Sequence, residues 1–124
     1  MEEKQSYLRK IEKILARHAQ YKLEAYHFLL AALHHTVAAL SKPRHVSGKE
    51  LLEGIRDYAL EQYGPLARTV LNYWGIHETL DFGKIVFALV EAGILRKQAE
   101  DKLEDFANIF DFKEAFDKGY KISD

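Results

Sequence analysis

Cysteine is absent from this 124-residue chain, and the first exclusions follow from that. Without it there is no disulfide framework, thiolate zinc site or cysteine nucleophile, and a reducing, cytoplasmic setting is the expectation. Proline occurs only at Pro43 and Pro65, so long helices meet few breakers. Val and Thr are sparse: five Val and three Thr stand against 16 Leu and 14 Ala, which favours helix over sheet. No apolar run approaches the length of a bilayer span, and the charged start MEEKQSYLRK predicts no secretory signal. Neither sign of charge dominates overall, with 18 Lys plus Arg against 19 Asp plus Glu. What remains is globular composition, 48% hydrophobic and 30% charged, in a chain long enough for a sizeable core.

The neutral total hides an asymmetry. Residues 1–49 carry nine Lys or Arg and four Asp or Glu, whereas residues 98–124 carry four and eight. The two ends are expected to complement one another in the fold, although a basic front also suits an acidic partner.

Apolar spacing predicts a helix over 3–17, with Tyr7, Leu8, Ile11, Ile14 and Leu15 on one face. A second, over 23–40, has a seam of Leu23, Tyr26, Leu30, Leu33, Val37 and Leu40. Phe28, Leu29, Ala32 and Ala39 form its second flank, so it should be central. After the break at Pro43, Ser47 and Glu50 form a capping box for a helix that stops at Gly64. Pro65 opens another, ending at Gly75, and Thr79 or Asp81 caps the next, closed by Gly93. Beyond it, residues 94–96 read as a short strand and 98–105 as a loop. Residues 106–112 read as a second strand, with a helix over 103–110 as the alternative. Asp111 and Glu114 cap a last helix through Phe116.

The segment from Ala67 to Leu95 resembles the heart of a winged helix-turn-helix domain, and Glu91-Ala92-Gly93-Ile94-Leu95 matches its junction into the β-hairpin wing. The gap from Ala67 to Gly75 exceeds the usual Ala-to-Gly spacing of the turn, where Leu71 takes the Ala place. More broadly, RHVSGKELLEGIRDYALEQYGPLARTVLNYWGI followed by TLDFGKIVFALVEAGIL is similar to a family of short bacterial proteins, conserved hypotheticals of planctomycete and verrucomicrobium type. That family has no established activity, so the resemblance implies no catalytic residue and no cofactor.

Chemistry-bearing motifs are few. DNA reading by the helix before Gly93 would rest on Lys84 alone, beside Asp81 and Glu91; the wing would add Arg96 and Lys97 among several acids. Arg44, His45 and Lys49 lie near a helix N-terminus, where an anion can be held, but Ser47 is already used as the cap. Glu24, His27, His34 and His35 share a helix face, yet a di-metal site needs a second such set, and a solvated stripe is the expectation. Asp81-Phe82-Gly83 spells a kinase tripeptide without the rest of a kinase, and phosphate-loop and nucleophile-elbow motifs are lacking. Tyr63, Tyr73 and Phe87 fall on outer sides or ends of their helices and are the candidate interaction surface.

The sequence thus predicts a mainly α protein: a helical hairpin over 1–40 packed on a winged-helix-like unit with a short β-hairpin over 47–118, in one compact domain. The function it suggests is a small interaction module or adaptor without catalysis, cofactor or metal, using a protein partner or a second copy. A nucleic-acid-binding regulator is the alternative.

Overall fold

A computed structural model describes residues 2–96 and 102–118. Five α-helices carry the fold: α1 (Glu2–Arg17), α2 (Leu23–Ala38), α3 (Gly48–Tyr63), α4 (Ala67–Tyr73) and α5 (Thr79–Glu91). A 3-10 turn, Gly64–Leu66, joins α3 to α4; a second, Leu103–Phe106, and a π-helical turn, Lys113–Lys118, complete the described chain. One hydrophobic core runs from Ile11 of α1 to Phe116, so the hairpin and the following unit share their interior.

Helix α2 is central, packed between α3 and α5. Its buried face is Ala25, Tyr26, Phe28, Leu29 and Ala32, rotated from the expected seam: Leu23 is exposed and Leu30, Leu33 and Val37 are half-buried. Small side chains explain the rotation. Ala25 and Ala32 permit close approach, and a Cβ at Gly54 of α3 would collide with Thr36, so the α2–α3 crossing needs that glycine. The α3 start is as the sequence predicts: Glu50 N donates to Ser47 Oγ and Ser47 N to Glu50 Oε1, both at 3.1 Å.

A polar lock ties the α1–α2 loop to the α4–α5 turn. Gly75, at φ +93, brings its backbone against the Gln20 carbonyl, and Lys22 N donates to Trp74 O at 3.1 Å. Buried Asp81 accepts from Tyr21 Oη at 2.5 Å, from His77 N at 2.8 Å and from Glu78 N at 3.2 Å. Neither expected residue is the N-cap of α5: Glu78 is, with Asp81 completing its capping box from the third position, and Thr79 does something else. Its hydroxyl donates to Phe106 O at 2.6 Å and accepts from Ile109 N at 3.1 Å.

The expected β-hairpin is the main correction, for no strand occurs among the described residues. After Gly93, at φ +78, the amides of Ile94 and Leu95 both turn back to Leu89 O, at 2.9 and 3.2 Å, closing α5 instead of feeding a ladder. The second limb is equally occupied. Phe106 ends a 3-10 turn and is buried against Gly48 and Gly83; a Cβ at Gly83 would lie 2.7 Å from the Phe106 ring. The helical alternative over 103–110 survives only as that turn, because Asn108 enters the left-handed region at φ 52. Downstream, Glu114 N donates to Asp111 Oδ2 at 3.1 Å, as the expected cap requires.

Candidate interaction groove

α5, the helix the winged-helix likeness would use for reading, is embedded. Phe82, Ile85, Ala88 and Leu89 are buried in the core, Gly83 faces Phe106, and only Lys84 and Glu91 are exposed. Those two and Phe87 lie on one stripe, and α1 runs beside it without closing against it. The gap is a groove of about 330 Å³ lined by Lys10, Lys13, Arg17 and His18 above a floor of Ile14, Ala88 and Ala92. Its one acid, Glu91, is taken by Arg17 at 2.7 Å. Half-buried Lys10 and exposed Lys13 and Arg17 therefore leave positive charge in excess along this edge.

Sharing His18, Ala88 and Glu91, the groove continues into a pocket of about 260 Å³ bordered by Gln20, Tyr21, Tyr26, Lys84, Phe87 and Leu103. Phe87 is half-buried, its ring edge-on to Phe106 at 6.4 Å between centroids. Burial and the hydrogen bond to Asp81 push the Tyr21 phenol above its ordinary value, and burial pushes Tyr26 up to about 12. Both stay protonated at neutral pH.

A second cleft, of about 490 Å³, lies between α4 and the C-terminal turns and includes Arg68, Asn72, His77, Asn108 and Lys113. Arg68 Nε meets both carboxylate oxygens of Asp117 at 3.0 Å, and this bond holds the Asp117 carboxyl below its usual range. His77 Nδ1 lies 3.0 Å from Asn72 Oδ1. Arg68 with Asp117 and His77 with Asn72 are thus paired at this cleft, which lies where α4 packs on the last described turn.

The other residues singled out by sequence disperse. Arg44, His45 and Arg96 border a smaller pocket of about 230 Å³ over Leu33, Val46 and Phe106, which shares no residue with the α1–α5 groove. Arg44 is engaged by Glu50 at 2.7 and 3.1 Å, an exposed pair that pulls the Glu50 carboxyl from 4.5 to about 2. Lys49 is exposed at the start of α3, and Lys97 lies outside the described residues. Tyr73 is 70% exposed, with Lys22 Nζ 4.8 Å above its ring. Tyr63 belongs instead to an aromatic cluster, its ring 6.1 Å from Phe28 and 5.7 Å from Trp74. Glu24, His27, His34 and His35 are exposed, and no group of three metal-ligating side chains assembles among the described residues. Of the acidic C-terminal stretch, the described Asp117 pairs with Arg68.

Sequence reasoning missed the groove in which Lys10, Lys13 and Arg17 meet Glu91, and its continuation into the pocket of Lys84 and Phe87, both of which need α1 and α5 side by side. It also missed Tyr26, whose spacing marked it only as core. No helix of the described chain is long and apolar enough to cross a membrane. Comparison with protein-family models, curated proteins and solved structures finds no match.

Proposed function

We propose that the chain is a non-catalytic interaction module whose groove between α1 and α5 receives an acidic, partly apolar segment of a partner protein. The observation that carries this reading is the cation-lined groove between α1 and α5 over an apolar floor, continuous through His18, Ala88 and Glu91 with a pocket that Lys84 and Phe87 border. Excess positive charge selects and steers an acidic segment, while Ile14, Ala88, Ala92 and Phe87 reward apolar side chains on it. A winged-helix nucleic-acid regulator is less well supported. Base reading needs a row of exposed polar side chains on α5, which offers one cation and one acid.

Fluorescence anisotropy with a labelled synthetic peptide of Glu, Leu and Phe tests the proposal against random duplex DNA at low salt. The peptide should bind, its Lys-for-Glu counterpart should not, and the double charge reversal Lys10→Glu with Lys13→Glu should weaken binding at least tenfold. Tight duplex binding with no peptide binding overturns the proposal. So does peptide binding that the double reversal leaves unchanged.

A further inference from the structure

Among the described side chains, one buried polar atom has no hydrogen-bond partner: the hydroxyl of Tyr26. Tyr26 is 0% exposed and borders the pocket beneath Phe87. A buried hydroxyl left unpaired is uncommon, and phenylalanine could pack at such a position without the desolvation cost. Neighbouring groups do not resolve it. Tyr21 stands edge-on, 6.3 Å away between ring centroids, but its hydroxyl already donates to Asp81 and accepts from Gln20 Nε2 at 2.9 Å. Tyr26 is thus the buried, uncommitted donor among the residues that line the pocket, where His18 and Lys84 are exposed.

Resting on the groove as the contact surface, we propose that this pocket is a carboxylate subsite, in which the Tyr26 hydroxyl donates to a ligand oxygen and the Lys84 ammonium balances its charge. The ligand group is a carboxylate on an apolar stem, supplied by an acidic side chain of the partner segment. Its charge is set by Lys84, which is exposed at the pocket and forms no ion pair among the described residues, while the Arg17–Glu91 pair is self-neutralised. Phe87, Ala88 and Leu103 provide the apolar wall for the stem. The volume, about 260 Å³, suits a side chain rather than a drug-sized molecule. One neutral donor and one ammonium match a carboxylate; a phosphate has more oxygens and charge than they satisfy. Burial of the phenol keeps the donor proton in place well above neutral pH.

The test titrates the full chain with 3-phenylpropanoate, inorganic phosphate and the Glu/Leu/Phe peptide, followed by amide NMR shifts and calorimetry. 3-Phenylpropanoate and the peptide should each shift Tyr26, Lys84 and Phe87, and phosphate should bind more weakly than 3-phenylpropanoate. Tyr26→Phe should weaken both carboxylate ligands about tenfold with an equal or higher Tm, because it removes an unpaired oxygen and little else. Lys84→Met should weaken them similarly without loss of fold. Peptide binding unaffected by Tyr26→Phe overturns the subsite and leaves the groove proposal standing. 3-Phenylpropanoate binding that depends on Tyr26, with no peptide binding, keeps the subsite and overturns the protein-partner reading. Tighter binding of phosphate than of 3-phenylpropanoate, or a lowered Tm in Tyr26→Phe with unchanged affinity, assigns Tyr26 no ligand role. If neither carboxylate ligand binds, both proposals fall.

Discussion

Along one edge of α5, Gly83 and Thr79 let the C-terminal segment approach to backbone contact. Along the other, Glu91 faces α1 across an open groove, and Lys84 and Phe87 border the pocket into which it continues. The sealed edge uses a missing side chain and a short hydroxyl that satisfies two backbone groups. The open edge uses long charged side chains that remain in water and cannot fill the space between helices. On the proposed reading one helix separates two tasks: stability where small residues lie, and recognition where large polar ones lie.

The comparison breaks most sharply at Gly83. Gly83→Val places carbon atoms inside the Phe106 ring contact and should destabilise by about 3 kcal/mol or more, read as a fall in chemical-denaturation midpoint. An unchanged midpoint would mean that Phe106 is not seated there. Next comes Thr79→Val, which leaves Phe106 O and Ile109 N without their partner and should cost about 1–3 kcal/mol. Phe87→Ala sits on the border between the two edges. Half-buried on Phe106, it should cost about 1–2 kcal/mol and also weaken peptide binding; a loss in only one of these assigns Phe87 to that edge alone. Lys84→Met, on the open edge, should change stability by less than about 0.5 kcal/mol while reducing binding.

The smallest effect concerns acid. Glu50, exposed and bonded by Arg44 and the Ser47 amide, titrates near 2 instead of 4.5. A lowered folded value means that its contribution is complete above about pH 4.5 and disappears as the pH falls towards 2. Glu50→Gln should flatten the Tm profile within that window by lowering the neutral plateau slightly while leaving the acid limb unchanged. A variant profile parallel to wild type would show that the pair contributes nothing, as exposed pairs often do.

What was legible in the sequence was local. The Ser47–Glu50 box and the stops at Gly64, Gly75 and Gly93 announce themselves because each acts within a few residues. Helix content followed from the same reasoning. The strands were misread because Ile94 and Leu95 have apolar side chains suited to a strand, while their amides are spent on Leu89 O. That fact belongs to the helix end. The rotation of α2 required knowing that Gly54 meets Thr36, and the seating of Phe106 required Gly48 and Gly83 to meet at its ring; both are encounters between distant segments. The groove was half visible: the basic front could be counted, and Phe87 and Lys84 were already singled out, but their shared address could not be read from spacing. The Tyr26 hydroxyl was invisible, since periodicity registers an aromatic ring and says nothing of whether its oxygen finds a partner.

The lock between the α1–α2 loop and the α4–α5 turn has a consequence for how this chain holds together under stress. Tyr21 and Asp81 stand 60 residues apart, the kind of separation that secreted domains bridge with a disulfide. A covalent bridge over such a loop stabilises by about 4 kcal/mol, in the chain-entropy account because the unfolded chain stays cross-linked. The hydrogen-bonded staple leaves the denatured ensemble unrestricted. It forms only after both ends have been brought together, and it vanishes with the first opening of either loop. Its grip belongs wholly to the native state, so mechanical or chemical opening of the α1–α2 loop removes it at once, and nothing remains to guide the ends back except the hydrophobic core.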